Sequence, residues 1–109
     1  MPKLEISAQL YFADWCGHCH HFIPEWDKFA EQIEKNPGPN KVVTKKYEEG
    51  SIPKDEKPTI NGKEIRGYPT VKITVMSDKG KKVEYEYNGK RNSKALMEHV
   101  NKMAVKNLE

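Results

Sequence analysis

Residues 4–19 read Leu-Glu-Ile-Ser-Ala-Gln-Leu-Tyr-Phe-Ala-Asp-Trp-Cys-Gly-His-Cys, and the order of side chains in this stretch decides the fold. Leu4, Ile6, Ala8 and Leu10 recur at period two, the spacing of one face of a strand, and the run Leu10-Tyr11-Phe12-Ala13 is apolar throughout. Residues 4–12 are therefore predicted to form a core strand. Past Cys16 the period changes. Phe22, Trp26, Phe29 and Ile33 stand at helical spacing, while Glu25, Asp27, Lys28, Glu31, Gln32 and Glu34 are mostly turned away from them. An amphipathic helix is predicted over residues 17–35, stopped by Asn36-Pro37-Gly38-Pro39. Pro24 removes one backbone hydrogen bond and is expected to kink this helix without ending it. The two cysteines thus fall where a strand gives way to a helix.

Further along, residues 42–48 form a second strand candidate whose Lys45 and Lys46 suit a sheet edge, since charged side chains discourage pairing by another chain. Residues 70–76 alternate Val71, Ile73 and Val75, and residues 83–87 alternate again after Ser77-Asp78-Lys79-Gly80, so a hairpin is predicted. A closing helix over residues 93–106 has Asn92 or Ser93 as N-cap and Leu96, Val100 and Met103 on one face. Between these elements, residues 49–68 hold Gly50, Pro53, Pro58, Gly62 and Gly67, with Asn61-Gly62 marking a tight turn between Ile60 and Ile65. So long a connection without structure is unusual in a compact domain, and at least one short helix or hairpin is expected inside it.

Length and composition bound the class. A chain of 109 residues is the size of one domain, 1–109. Leu, Ile, Val and Phe number only 21, a share near that of disordered chains, but disorder also needs a large net charge, and here it is +3. No apolar run approaches the roughly 20 residues of a membrane-spanning helix, so a transmembrane protein is not expected. The first residues lack the apolar stretch of a signal peptide, which points to the cytoplasm or a virion for the chain as written and to the endoplasmic reticulum lumen if a signal was removed. Lys45-Lys46, Lys81-Lys82 and Lys90-Arg91 are too short to form a nucleic-acid-binding tail. Two cysteines three apart are also too few to staple a small fold.

The pair needs a chemical reason. Cys-x-x-Cys at a helix N-terminus can close a small disulfide ring and reopen it. The unpaired N–H groups and the dipole there favour a thiolate on Cys16, the attacking species in thiol–disulfide exchange. Cys19, one helical turn deeper, is placed to attack a mixed disulfide and release the substrate. His18 between them can offer a hydrogen bond or positive charge to the Cys16 thiolate, which favours the reduced pair and makes the oxidised pair a better oxidant. Three other readings use the same letters. Static thiols or a static disulfide fit poorly beside Trp15 and His18. Cys16-Gly17-His18-Cys19-His20 matches a haem-attachment pattern, but the surrounding strands do not suit a small helical haem protein. Cys16, Cys19, His18, His20 and His21 include metal-ligand types, yet a structural zinc site draws a second pair from a distant segment, where only His99 remains. His20 and His21 are expected to be exposed helix residues, and His99 an ordinary surface or satisfied core residue. No metal is assigned.

Tyr11-Phe12-Ala13-Asp14-Trp15-Cys16-Gly17-His18-Cys19, Pro24-Glu25-Trp26 and Gly67-Tyr68-Pro69-Thr70 resemble the signature of the thioredoxin superfamily, specifically the catalytic domains of protein disulfide isomerase, over residues 4–105. The resemblance implies a cis-proline at Pro69 facing the cysteines, a Tyr68 backbone that pairs with a substrate strand, Trp15 and Gly17 at the rim, and an arginine-type residue at Lys90 or Arg91 that tunes the second cysteine. It also implies protein thiols and disulfides as substrates, glutathione or another redox partner, a monomer, and no cofactor. Two departures stand out. The family's buried acid six residues before the first cysteine is Leu10 here, so the Cys19 proton must leave by water, Asp14, a histidine or Lys90-Arg91, and resolution is expected to be slow. Only fifteen residues precede Cys16, too few for the family's first strand and helix. The expectation is a trimmed thioredoxin-like α/β fold with about four strands in a mixed sheet and flanking helices, a layout similar to minimal isomerase-like proteins of large algal viruses. Its implied activity is disulfide oxidation and isomerisation. The alternatives are a thioredoxin-type reductase, a redox-inert module holding peptides in the groove around Pro69, and an iron-sulfur or zinc site bridging two chains.

Overall fold

The computed structural model describes residues 5–35, 41–52, 58–65, 67–77 and 79–106, with side chains as far as Lys102. Leu4, the stop at 36–39, Pro53, Asp78 and the Met103 side chain therefore lie outside the described residues. The order is β1 (Glu5–Phe12), α1 (Gly17–Lys35), β2 (Lys41–Glu48), a 3-10 turn (Glu49–Ser51), β3 (Thr59–Ile60), β4 (Lys63–Glu64), β5 (Thr70–Met76), β6 (Lys82–Glu86) and α2 (Ser93–Lys106). The main sheet runs β2-β1-β5-β6, with β1 parallel to β2 and antiparallel to β5. It is a mixed four-stranded sheet, and the lysine-bearing β2 lies at its edge.

Register decides what the two faces hold. Ile6 stands opposite Val42 and Val75, Ala8 opposite Thr44 and Ile73, Leu10 opposite Lys46 and Val71. Ile6, Ala8, Leu10, Val71, Ile73 and Val75 form one core with Phe22, Trp26 and Phe29 of α1 and Leu96 and Val100 of α2. Both helices therefore cover the same face. Each Val, Leu, Ile or Phe side chain withdrawn there contributes about 1.5–3 kcal/mol relative to exposure. The opposite face carries Ser7, Gln9, Tyr11, Val43, Lys45, Tyr47, Lys72, Thr74, Glu84 and Glu86 in register, a mostly polar set that suits a sheet face left uncovered by helices. On it Tyr11 and Tyr47 stack at 5.3 Å, and Lys72 pairs with Glu84 at 3.3 Å.

The helices follow the predicted boundaries. α1 continues through Pro24. At α2 the Asn92 side chain accepts the Ala95 N–H at 2.7 Å, which settles the N-cap on Asn92, and Glu25 of α1 accepts the Ser93 N–H at 3.1 Å. That second bond ties the start of α2 to α1. The β5–β6 hairpin is one residue out of the predicted frame, because β6 begins at Lys82 opposite Met76, although the Tyr87 N–H still reaches Val71 O.

The proline- and glycine-rich connection contains both devices expected of it as alternatives, the 3-10 turn and a two-residue hairpin between β3 and β4. Asn61 and Gly62 both have positive φ, 53° and 82°, the conformation a tight hairpin turn demands of its central pair. Glu84 of β6 accepts the Asn61 N–H, and the Asn61 amide donates to the Glu84 carbonyl at 3.0 Å. This latch fixes the hairpin beside the far edge of the sheet. The Asn61 N–H, helped by Lys72, holds the Glu84 carboxyl below the usual range.

Candidate active site

β1 ends at Phe12, and Ala13-Asp14-Trp15 turns the chain into α1. The Cys16 N–H closes this turn onto Ala13 O at 3.1 Å. Cys16 therefore stands immediately before the helix and Cys19 within its first turn, with Cα atoms 5.2 Å apart and the sulfurs joined in a disulfide. Their burial differs little in area but matters in place: Cys16 keeps 5% exposure, Cys19 none. The Cys19 N–H points at Cys16 Sγ, 3.2 Å away. That donor is one of the unpaired amides of a helix start, and it favours negative charge on Cys16 when the disulfide opens.

The wall opposite comes from the loop before β5. The Tyr68–Pro69 peptide bond is cis, and the Tyr68 carbonyl oxygen lies 3.5 Å from Cys16 Sγ. Thr70 anchors this loop through a 2.6 Å hydroxyl bond to Gly67 O. Sheet register explains the convergence: Tyr11 pairs with Thr70 on one side, Phe12 with Glu48 on the other, so the turn after β1 is flanked by both loops. Trp15, 71% exposed, packs edge-on against Tyr68 with centroids 6.0 Å apart. Its indole N–H donates to Glu49 Oε1 at 3.1 Å. Burial pushes the Tyr68 phenol up, and the Glu49 and Glu48 carboxylates add to the shift.

The remaining candidates divide. Gly17 is exposed at the helix start. His18 is exposed, and among the described residues no hydrogen bond joins it to either sulfur; His20 instead contacts the Asp14 carbonyl at 2.6 Å, and His21 faces outward. Arg91 lines a cavity of about 100 Å³ with Phe22, Pro69 and Tyr87, whereas Lys90 contributes its carbonyl to the Tyr87 hydroxyl. Of the two, Arg91 is the one beside the proline loop. Leu10 is fully buried in the core, and Cys19 clusters with Ala13, Cys16, Phe12 and Tyr68, an apolar set. Among the described residues no three potential metal ligands come together.

His99 lies away from this site, half-buried against Tyr85 and Tyr87, with its Nε2 on the Tyr85 hydroxyl. Burial lowers its pKa, Lys102 adds to this, and burial pushes the Tyr85 phenol up to about 12. A base whose folded pKa is depressed binds protons more tightly when unfolded. Stability from His99 is thus complete above its ordinary value and is lost as pH falls below it. Urea midpoints are expected to drop from pH 7.5 to 5.5, and a His99→Gln variant should show a smaller drop over that window.

Glu49 has no signal in the sequence, because no spacing rule links residue 15 to a carboxylate 34 residues away. Glu25 is legible as a polar helix position within Pro24-Glu25-Trp26, but its role at the start of α2 depends on how the helices pack.

An α/β domain that carries a disulfide on a strand-to-helix turn beneath a cis-proline loop is thioredoxin-like in both fold and site. The chain belongs to the thioredoxin family, whose family model matches residues 8–102. It is 37% identical over 89 residues to a protein disulfide-isomerase A6 homologue of Drosophila melanogaster, covering 81% of this chain and 18% of that protein. It is 34% identical over 102 residues to protein disulfide isomerase-like 1-1 of Arabidopsis thaliana, covering 94% and 19%. In fold it matches the Trx4 domain of ERdj5, with TM-score 0.69 and 24% identity over 91% of this chain and 79% of that one. The chain spans less than a fifth of the curated relatives' length. Among the described residues no helix is long and apolar enough to cross a membrane.

Proposed function

We propose that this domain exchanges disulfides with protein substrates through Cys16 and Cys19, working as an oxidase and isomerase. The observation that carries the reading is the asymmetry of the pair: Cys16 Sγ borders the Tyr68 carbonyl at the groove, while Cys19 is sealed beneath it. A substrate thiolate attacks Cys16 Sγ in line with the disulfide, and Cys19 leaves as thiolate and takes up a proton. A second substrate thiolate then attacks the mixed disulfide, Cys16 leaves, and the substrate holds a new disulfide while the protein holds two thiols. In isomerisation the reduced Cys16 thiolate attacks a substrate disulfide, and either a substrate thiol or Cys19 releases it.

The substrate strand pairs with the Tyr68 backbone, against Pro69, with Trp15 and Gly17 at the rim. Arg91, rather than Lys90, is the cation assigned to tuning Cys19. His18 acts on the open thiolate form of Cys16, and its exposure leaves it free to turn toward the sulfur. Because Leu10 replaces the acid and Cys19 has apolar neighbours, proton loss from Cys19 limits release. Electrons pass between sulfurs alone, so no cofactor enters. Glutathione or another redox partner reoxidises the pair, the unit is a monomer, and an oxidising compartment suits this direction.

Cys19→Ser tests the sequence of steps. Mixed with a reduced model protein and an oxidant, it should accumulate a covalent adduct through Cys16 that dithiothreitol releases. No adduct, or an equal adduct with Cys16→Ser, would overturn the assignment.

A further inference from the structure

Trp15 is the most exposed large apolar side chain among the described residues, yet its indole N–H is held by Glu49 Oε1 at 3.1 Å. An indole that donates to a carboxylate presents an electron-rich face to solvent, and such a face attracts ammonium and guanidinium groups. Glu48 stands one residue away at the end of β2, and both carboxylates act on the neighbouring Tyr68 phenol. Among the described residues neither carboxylate forms an ion pair with Lys, Arg or His. Tyr68 packs edge-on to Trp15 and has its carbonyl 3.5 Å from Cys16 Sγ. The aromatic face, the two carboxylates and the reactive sulfur are therefore linked through Tyr68, whereas Arg91 lines a separate cavity with Pro69.

We propose that Glu49 and Glu48, acting with the Trp15 face, select substrates that carry a lysine or arginine next to the reacting cysteine. This deepens the exchange reading and rests on it. Glu49 is a positioning and specificity residue here: it sets the Trp15 ring and supplies negative charge without touching the sulfurs. Exposed charge pairs and cation–π contacts are each modest, so the expected discrimination is about three- to tenfold and sensitive to salt.

The chemistry of the test balances as two peptide thiols becoming one peptide disulfide while Cys16–Cys19 becomes two thiols. Two short peptides with a single cysteine are compared, one flanked by lysines and one by glutamates, reacting with the oxidised wild-type protein. Each rate is divided by that peptide's rate with bis(2-hydroxyethyl) disulfide, an uncharged reference that removes the effect of the flanks on thiol acidity. The lysine peptide should react about three- to tenfold faster on this scale at low salt, and the preference should collapse at high salt and in Glu48→Gln/Glu49→Gln. Glutamine preserves the acceptor for the Trp15 N–H, so Trp15 emission, read in the Trp26→Phe background, reports that the rim is intact and helix content reports that the fold is. A normalised ratio near one, or a ratio that survives the double substitution, overturns the proposal. Failure of the oxidised protein to react with either peptide overturns the exchange reading itself, and the proposal with it.

Discussion

Cys16→Ser should abolish disulfide exchange with protein thiols, lowering the rate by roughly a thousandfold or more, since the variant has neither the attacking sulfur nor the disulfide. The site predicts this outcome rather than a partial loss. Cys19, the only other sulfur of the pair, is fully buried among Ala13, Phe12, Cys16 and Tyr68 and offers no surface to a substrate. The substitution is nearly isosteric at a position that keeps 5% exposure, so the fold should persist. Far-UV circular dichroism and a urea midpoint close to that of the reduced wild-type protein would show it. Oxidation of a reduced model protein, followed by thiol titration, is the readout. Retention of more than about a tenth of the wild-type rate would sink the mechanism.

Trp26→Ala should produce the largest loss of stability, about 3–5 kcal/mol. Trp26 is 1% exposed and meets Phe22 and Phe29 edge-on, at 6.1 and 5.3 Å, so one truncation empties the centre of the face that α1 presents to the sheet. A domain of this size is stable by about 5–15 kcal/mol in total, so the loss is from about a fifth to all of it. Trp26→Phe keeps an aromatic ring in the same place and should cost only about 1–2 kcal/mol. Urea denaturation at constant m-value measures both. Similar midpoints for the alanine variant and the wild type would mean that Trp26 does not organise the core.

The strand, the helix and the cysteines between them were legible because their signals are local: period two in residues 4–12, helical spacing from Phe22 to Ile33, and a motif of consecutive residues. The edge position of β2 was legible from Lys45 and Lys46 for a physical reason, since an uncovered strand needs charge. The connection from residue 49 to 68 was not, because glycine and proline mark breaks without saying what lies between them. The Asn61-Gly62 turn could be read, but its latch to Glu84 is a tertiary contact across 23 residues. Glu49 escaped for the same reason. That both helices share one sheet face follows from register, which a single sequence states only weakly. Leu10 shows the converse case: its apolar character was plain, and the structure gives it an ordinary core role in a place where the family resemblance implies an acid.

The central claim is that Cys16–Cys19 is an exchanging pair and not a fixed staple. Its reduction potential, measured by equilibrating the Trp26→Phe variant in glutathione buffers and following Trp15 emission, tests this most directly. The account predicts reversible equilibration near −180 mV, the range of disulfide isomerases; a value near about −270 mV would instead mark a reductant. A pair that stays oxidised below about −300 mV, as structural disulfides do, would contradict the claim.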